Sequence, residues 1–339
     1  MGSMSEKRVA YEVALYGKQQ IAEGTYAFTF EKPEGFHFKA GQHVRMTLID
    51  PTETDAEDNS RFLTMASTPQ EPDLVFAIRM RDTAFKRVLS RMRPGEKVLI
   101  EMLLESPHGS FVLHEDASKP AVFIVGGIGI VPAYSMIKDA IQRNLPHKKF
   151  LFYSNRRPED APFLVELQNL AEQNNSFELI ATITEPEKSA QSWQGETGFI
   201  DRAMLEKYVD DLESPIFYVA GLPDMVGAMQ TVLAEVGVSN ENIRAEEFAG
   251  FELSHNEEVS NSGKNHPLVD DTGVRPTADR PPSTPRWVKV TGIIVGVVLL
   301  LFVILLFTRG PGGHGPGMHG SGDGDTLLAS VTEDSGQQP

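Results

Sequence analysis

The chain has 339 residues, 40% hydrophobic and 23% charged, enough for two domains of ordinary composition. With no cysteine it carries no disulfide, thiolate zinc site, thiol nucleophile or cysteine-held iron–sulfur cluster, and its nine His form no HExxH-type pair, so no metal site is expected. A net charge of −16 excludes a general nucleic-acid binder, because phosphate affinity rests on clustered Lys and Arg.

Residues 8–115 read as β. The runs Glu12–Tyr16, Tyr26–Phe30, His43–Leu48, Leu74–Met80 and Lys97–Met102 are short, rich in β-branched and aromatic residues, and separated by Gly, Pro or Asp clusters. Their spacing predicts a small antiparallel barrel. One helix is expected over Ala84–Met92, where Phe85, Val88, Leu89 and Met92 share a face. Within this domain Arg61-Phe62-Leu63-Thr64-Met65-Ala66-Ser67 joins a cation to hydroxyls and extended backbone. That combination suits a phosphate and a planar ring, and it suits an ordinary surface strand as well.

Residues 119–251 turn to alternating strand and helix, which predicts a doubly wound parallel sheet. Ala121–Val125 is an apolar strand, followed by Gly126-Gly127-Ile128-Gly129-Ile130-Val131-Pro132 and a helical pattern over Ala133–Gln142. A Gly-rich turn between strand and helix lets backbone amides approach a pyrophosphate at the helix N-terminus. Pro132 suits the first turn, where no amide donor is needed. The strand Phe150–Tyr153 runs into Ser154-Asn155-Arg156-Arg157-Pro158. Its guanidinium forks are suited to a nucleotide phosphate, and equally to a surface pair bonded to Glu159 or Asp160. A last strand, Ile216–Val219, meets Ala220-Gly221-Leu222-Pro223 and a helix over Asp224–Val236, and the folded composition ends in Glu246-Glu247-Phe248-Ala249-Gly250-Phe251.

Beyond this, residues 252–286 are Pro-rich and poor in large apolar groups, the pattern of a disordered linker. Residues 288–307 are expected to form a single transmembrane helix. Their core, Val290–Phe307, is 18 uncharged residues, about 27 Å as a helix and near a bilayer's hydrocarbon thickness. Arg275, Arg280, Arg286 and Lys289 precede that core and only Arg309 follows it, which orients the preceding domains to the cytoplasm. Residues 308–339 read as a disordered Gly-rich tail. The expectation is a C-terminal, single-pass membrane anchor holding cytoplasmic domains.

In order and spacing, residues 8–251 resemble the ferredoxin–NAD(P)H reductase family, a flavin-binding barrel followed by a nicotinamide-nucleotide domain. The resemblance implies that Arg61 binds the flavin phosphate, with Phe62, Leu63, Thr64 and Ser67 along the ring. It places the Thr64 hydroxyl near the reactive N5 and an aromatic, Phe251 or Phe248, over the flavin. Arg79, Thr83 and Lys86 correspond to the stretch supporting the flavin pyrophosphate. Gly126, Gly127, Gly129 and Pro132 match the dinucleotide turn, Ser154, Arg156 and Arg157 the adenosine-side grip, and Gly221 and Pro223 the turn beside the nicotinamide. Three positions depart from the family pattern. Leu63 replaces an aromatic, Val131 stands where Thr is frequent, and Ala220 replaces a Cys of some members.

The resemblance implies FAD as cofactor and NADPH or NADH as donor, with the Arg pair leaning toward NADPH. Hydride passes from NAD(P)H to flavin N5, and electrons then pass to a separate one-electron carrier, such as ferredoxin or flavodoxin, or to a membrane redox partner. The alternative is a non-catalytic, tail-anchored redox-sensing or interaction module on the same scaffold.

Overall fold

The long first strand explains how the barrel closes. In the computed structural model, which describes residues 8–56, 58–103, 111–248 and 274–275, strand β1 runs Arg8–Ala22. It pairs with β6 (Lys97–Leu103) through Arg8–Ala14, then with β2 (Thr25–Glu31) from Leu15 onward. A register shift between Leu15 and Gly17 marks the change of partner. An extra residue there bends the strand and lets one segment serve two parts of the barrel. The expected strand Glu12–Tyr16 is thus the apolar middle of a longer one, whose polar end Lys18-Gln19-Gln20 carries no hydrophobic signal.

The remaining barrel strands are β3 (His43–Leu48), β4 (Ser60–Thr64) and β5 (Asp73–Arg79), in the order β4-β3-β6-β1-β2-β5. All pairings are antiparallel. A bridge from Met65 to Phe76 and the bond from Ala66 N to Val75 O (2.7 Å) join β4 to β5, so the two outer strands meet. Alternate residues Val13, Leu15, Phe28, Phe30, Val44, Met46, Phe76, Val98 and Ile100 fill the interior. Helix α1 (Ala84–Arg91) covers one end with Phe85 and Leu89, and the Thr83 hydroxyl accepts a hydrogen bond from Lys86 N at its start.

The second sheet is parallel through β10 (Glu196–Thr197), β9 (Phe177–Ile183), β8 (Lys149–Asn155), β7 (Ala121–Gly126), β11 (Ile216–Gly221) and β12 (Ile243–Phe248), in that order. A two-residue strand, β13 (Val274–Arg275), adds antiparallel to β12 within the stretch expected as linker. Strands β7, β8 and β11 are buried on both faces, as near-continuous apolar runs require. Helices α2 (Ile130–Gln142) and α3 (Leu164–Gln173) pack on one face, and α4 (Arg202–Tyr208) and α5 (Pro223–Glu235) on the other. Chain order reverses between β7 and β11, which creates a crevice at their carboxyl ends.

The antiparallel barrel and the parallel α/β sheet agree with the fold expected from sequence, and both lie in one compact unit. Among the described residues no helix is long and apolar enough to cross a membrane. The expected span 288–307, the tail and Phe251 lie outside the described residues.

Candidate functional site

Two glycine turns build the floor of the crevice. The first follows β7, where Gly127 takes φ +53°, a left-handed value that glycine adopts without strain. A Cβ on Gly129 would stand 2.5 Å from Ala220 O, so only glycine lets this turn approach the end of β11. The second turn follows β11, and a Cβ on Gly221 would come within 2.9 Å of Met225 Sδ. A Cβ on Gly126 would stand 2.5 Å from the same sulfur, so Met225 packs against both turns. Pro132 lies in the first turn of α2 and Pro223 opens α5.

The barrel supplies the opposite wall. Phe62, Leu63 and Thr64 from β4, Ala77, Ile78 and Arg79 from β5, and Arg81 and Lys86 near α1 line a cleft of about 530 Å³. Its α/β side is lined by Gly126, Gly127, Gly129, Ser154, Arg156, Asp160, Thr184, Phe199, Gly221, Met225 and Phe248 among others. Twelve residues singled out from the sequence therefore share one cleft: Phe62, Leu63, Thr64, Arg79, Lys86, Gly126, Gly127, Gly129, Ser154, Arg156, Gly221 and Phe248. The Thr64 Oγ1 is buried without a hydrogen-bond partner.

Others stand behind this wall. Arg61 is 2% exposed and donates to Ser60 O (2.8 Å), Asp58 O (3.1 Å) and Asp55 Oδ1 (3.3 Å), with its guanidinium over the Phe85 ring. The Ser67 hydroxyl accepts from Val75 N (3.1 Å), and Thr83 caps α1. Arg157 donates from Nε to Asp160 Oδ2 (3.0 Å) and from Nη2 to Asp160 Oδ1 (2.9 Å) and Glu23 Oε2 (2.7 Å).

Asp160 is the centre of this charge arrangement. It is 3% exposed, and Arg79 from the barrel reaches it at 3.4 Å and Arg156 at 4.0 Å. Burial works to raise its carboxyl, but the bonds and charge of Arg157, with Arg156 and Arg79, hold it below the ordinary carboxylate value. Arg79 is itself lowered by burial and by its like-charged neighbours, against the pull of Asp160. On β12, Glu246 is buried with Oε2 unpartnered, and burial pushes it up to about 8.

The alternative that bonds the Arg pair to Asp160 holds in the structure, whereas Arg81, Thr184, Phe199 and Met225 are not singled out by the sequence. Asp160 had a signal, since it stands three residues after Arg157, but its barrel partner Arg79 is distant in sequence. Phe199, 81% exposed at the cleft, lies in a short loop with no periodic pattern.

Residues 123–231 match the family model described as the oxidoreductase NAD-binding domain. Among curated proteins, the chain is 28% identical over 236 residues to the F subunit of the Na(+)-translocating NADH-quinone reductase of Idiomarina loihiensis, covering 65% of this chain and 56% of that one. The corresponding Marinomonas protein is 26% identical, with 71% of this chain and 68% of that one covered. The chain thus spans between about half and two thirds of these relatives. Among solved structures, the Amycolatopsis cytochrome P450 reductase GcoB gives a TM-score of 0.60 at 21% identity, covering 73% of this chain and 72% of that one. A Neisseria gonorrhoeae ferredoxin NADP+ reductase with bound FAD and NADP gives 0.58 at 20% identity, covering 70% of this chain and 98% of that one. The chain therefore joins an oxidoreductase NAD-binding domain to an antiparallel barrel in the ferredoxin-reductase fold, and its homologues are oxidoreductases.

Proposed function

We propose that this chain is an FAD-dependent NAD(P)H oxidoreductase that delivers electrons to a separate acceptor. The observation that carries this reading is the single cleft in which two glycine turns face a barrel wall bearing three cations and an unpartnered threonine hydroxyl. These residues fit both nucleotides. Arg79, Arg81 and Lys86 would hold a flavin pyrophosphate, with Phe62 and Leu63 along an apolar ring and Thr64 giving it a hydrogen bond. The Gly126–Gly129 turn and the start of α2 would hold the dinucleotide pyrophosphate. Leu63, Ile78, Met225 and Phe248 exclude water between the two, and alignment rather than a side-chain acid is the chain's main contribution. Bound flavin supplies hydride acceptance and one-electron release, chemistry that belongs to the cofactor.

The acceptor in this reading is a separate one-electron carrier or a membrane redox partner, since a chain without cysteine has no ligands for a cysteine-held iron–sulfur cluster. We further propose that 288–307 anchors the chain beside such a partner, raising its effective concentration. The purified chain should be yellow, and one of NADH and NADPH should bleach it under anaerobic conditions. A colourless protein that takes up no added flavin would overturn the reading. Deleting residues 286–339 should spare dye reduction while weakening coupled turnover in membranes, and equal loss of both would remove the anchor from the proposal.

A further inference from the structure

One carboxylate of the barrel sits where two anion-binding groups converge. Asp55, in the loop joining β3 to β4, accepts at Oδ2 from Ala84 N (3.0 Å), the first amide of α1. Its Oδ1 accepts from Arg61 Nη2 (3.3 Å). A helix N-terminus and a guanidinium each suit a phosphate oxygen, and here a side chain of the same charge sign engages both. The Arg61 side chain is 1% exposed and that of Asp55 31%, so the carboxylate is the outer partner and covers the cation. The pair borders the cleft, since Phe62 follows Arg61, Ala84 stands between Arg81 and Lys86, and Phe62, Arg81 and Lys86 all line the wall.

The loop that carries Asp55 is latched onto the same helix further along. Glu53 accepts from Arg87 Nε (2.9 Å) and Nη2 (2.6 Å) and from Arg91 Nη1 (2.8 Å). Arg87 is half-buried and Arg91 exposed. Ion pairs open to water contribute little, so the loop can swing away at modest cost. We propose that Asp55 is an internal anion seated in a phosphate subsite, an autoinhibitory contact that the phosphate of an incoming flavin nucleotide must displace to reach Arg61 and Ala84 N. This rests on the reading of the barrel wall as a flavin site. The contact weakens loading of phosphorylated flavins alone, because riboflavin carries no group that competes with a carboxylate.

The test is titration of the flavin-free full chain with FAD, FMN and riboflavin, followed by flavin fluorescence. Asp55→Asn should bind FAD and FMN about tenfold more tightly, the scale of one charge-assisted bond, and riboflavin within about twofold of the unaltered chain. Asp55→Glu keeps a carboxylate and should stay near the unaltered affinities. A carboxylate that only steadied the helix N-terminus would lower the melting temperature when removed and leave the FAD-to-riboflavin ratio unmoved, and that result overturns the proposal. Weaker FAD binding in Asp55→Asn overturns it too, since Asp55 would then support Arg61 rather than compete for it. So does equal tightening of riboflavin. Glu53→Gln releases the latch without touching the subsite and should tighten FAD by about threefold. It carries the test if circular dichroism shows Asp55→Asn unfolded, and an unmoved ratio there sinks the proposal. If no form binds any flavin, the flavin reading falls and this proposal with it. If all forms bind flavin with one FAD-to-riboflavin ratio, that reading stands and only the assignment of Asp55 falls.

Discussion

Single atoms decide what the glycine turns tolerate. A methyl group at Gly129 would meet Ala220 O at 2.5 Å, Ala220 C at 2.8 Å and Gly221 Cα at 3.0 Å, all backbone, so nothing yields cheaply. At Gly126 the obstacle is Met225 Sδ, near the end of a flexible side chain. Gly129→Ala should therefore cost roughly 1–3 kcal/mol in urea unfolding, and Gly126→Ala less. Glu246 provides a pH-dependent counterpart. Its carboxyl is raised from 4.5 to about 8 by burial, so the folded chain holds a proton that the unfolded chain has released across that interval. Its favourable contribution is complete below the unfolded value and is lost as pH rises through the folded one. Glu246→Gln should flatten the fall in melting temperature between those limits, and an unchanged slope would assign it to other groups.

At the scale of elements, local and distant signals part company. Helix α1 is legible because its apolar residues Phe85, Val88, Leu89 and Met92 share a face. In the structure the Thr83 hydroxyl accepts from Lys86 N at the start of this helix. Thr83→Ala should cost about 1 kcal/mol of stability, and Thr83→Ser should recover most of it. Strand β4 was harder to see. Its residues Arg61–Thr64 belong to the binding motif Arg61–Ser67, and their strand character comes from pairing with β3, Val44 opposite Leu63 and Arg45 opposite Phe62. The polar end of β1 was missed for a similar reason, since Lys18, Gln19 and Gln20 are held in the strand by β2. Strands β7, β8 and β11 were readable because burial on both faces demands unbroken apolar runs.

At the scale of the molecule, barrel and sheet are joined by specific polar contacts. Ser135 of α2, fully buried, donates to Ser67 O at 2.8 Å, Thr68 donates to Gln142 at 2.7 Å, and Lys138 pairs with Glu71 at 2.6 Å. Asp160 and Glu23 complete the seam at the cleft. Ser135→Ala would leave the Ser67 carbonyl buried without its partner, a loss of roughly 1–3 kcal/mol in chemical unfolding. The barrel and sheet should still melt in one calorimetric transition, because other seam contacts remain; two separated transitions would show that this bond carries the coupling.

The sequence by itself determined the two-part architecture, the glycine turns and twelve of the residues that meet in the cleft. Those signals are local: apolar runs set strands, and glycine sets where backbone can approach backbone. Tertiary structure alone decided which charges face the cleft. Arg156 and Arg157 are adjacent in sequence and indistinguishable by type, yet Arg156 lines the cleft and Arg157 is held by Asp160 and Glu23. That difference depends on a hairpin turn more than 130 residues earlier, brought within hydrogen-bond distance only when the barrel packs against the sheet. Electrostatic complementarity depends on separations of a few ångströms, and sequence order does not contain them.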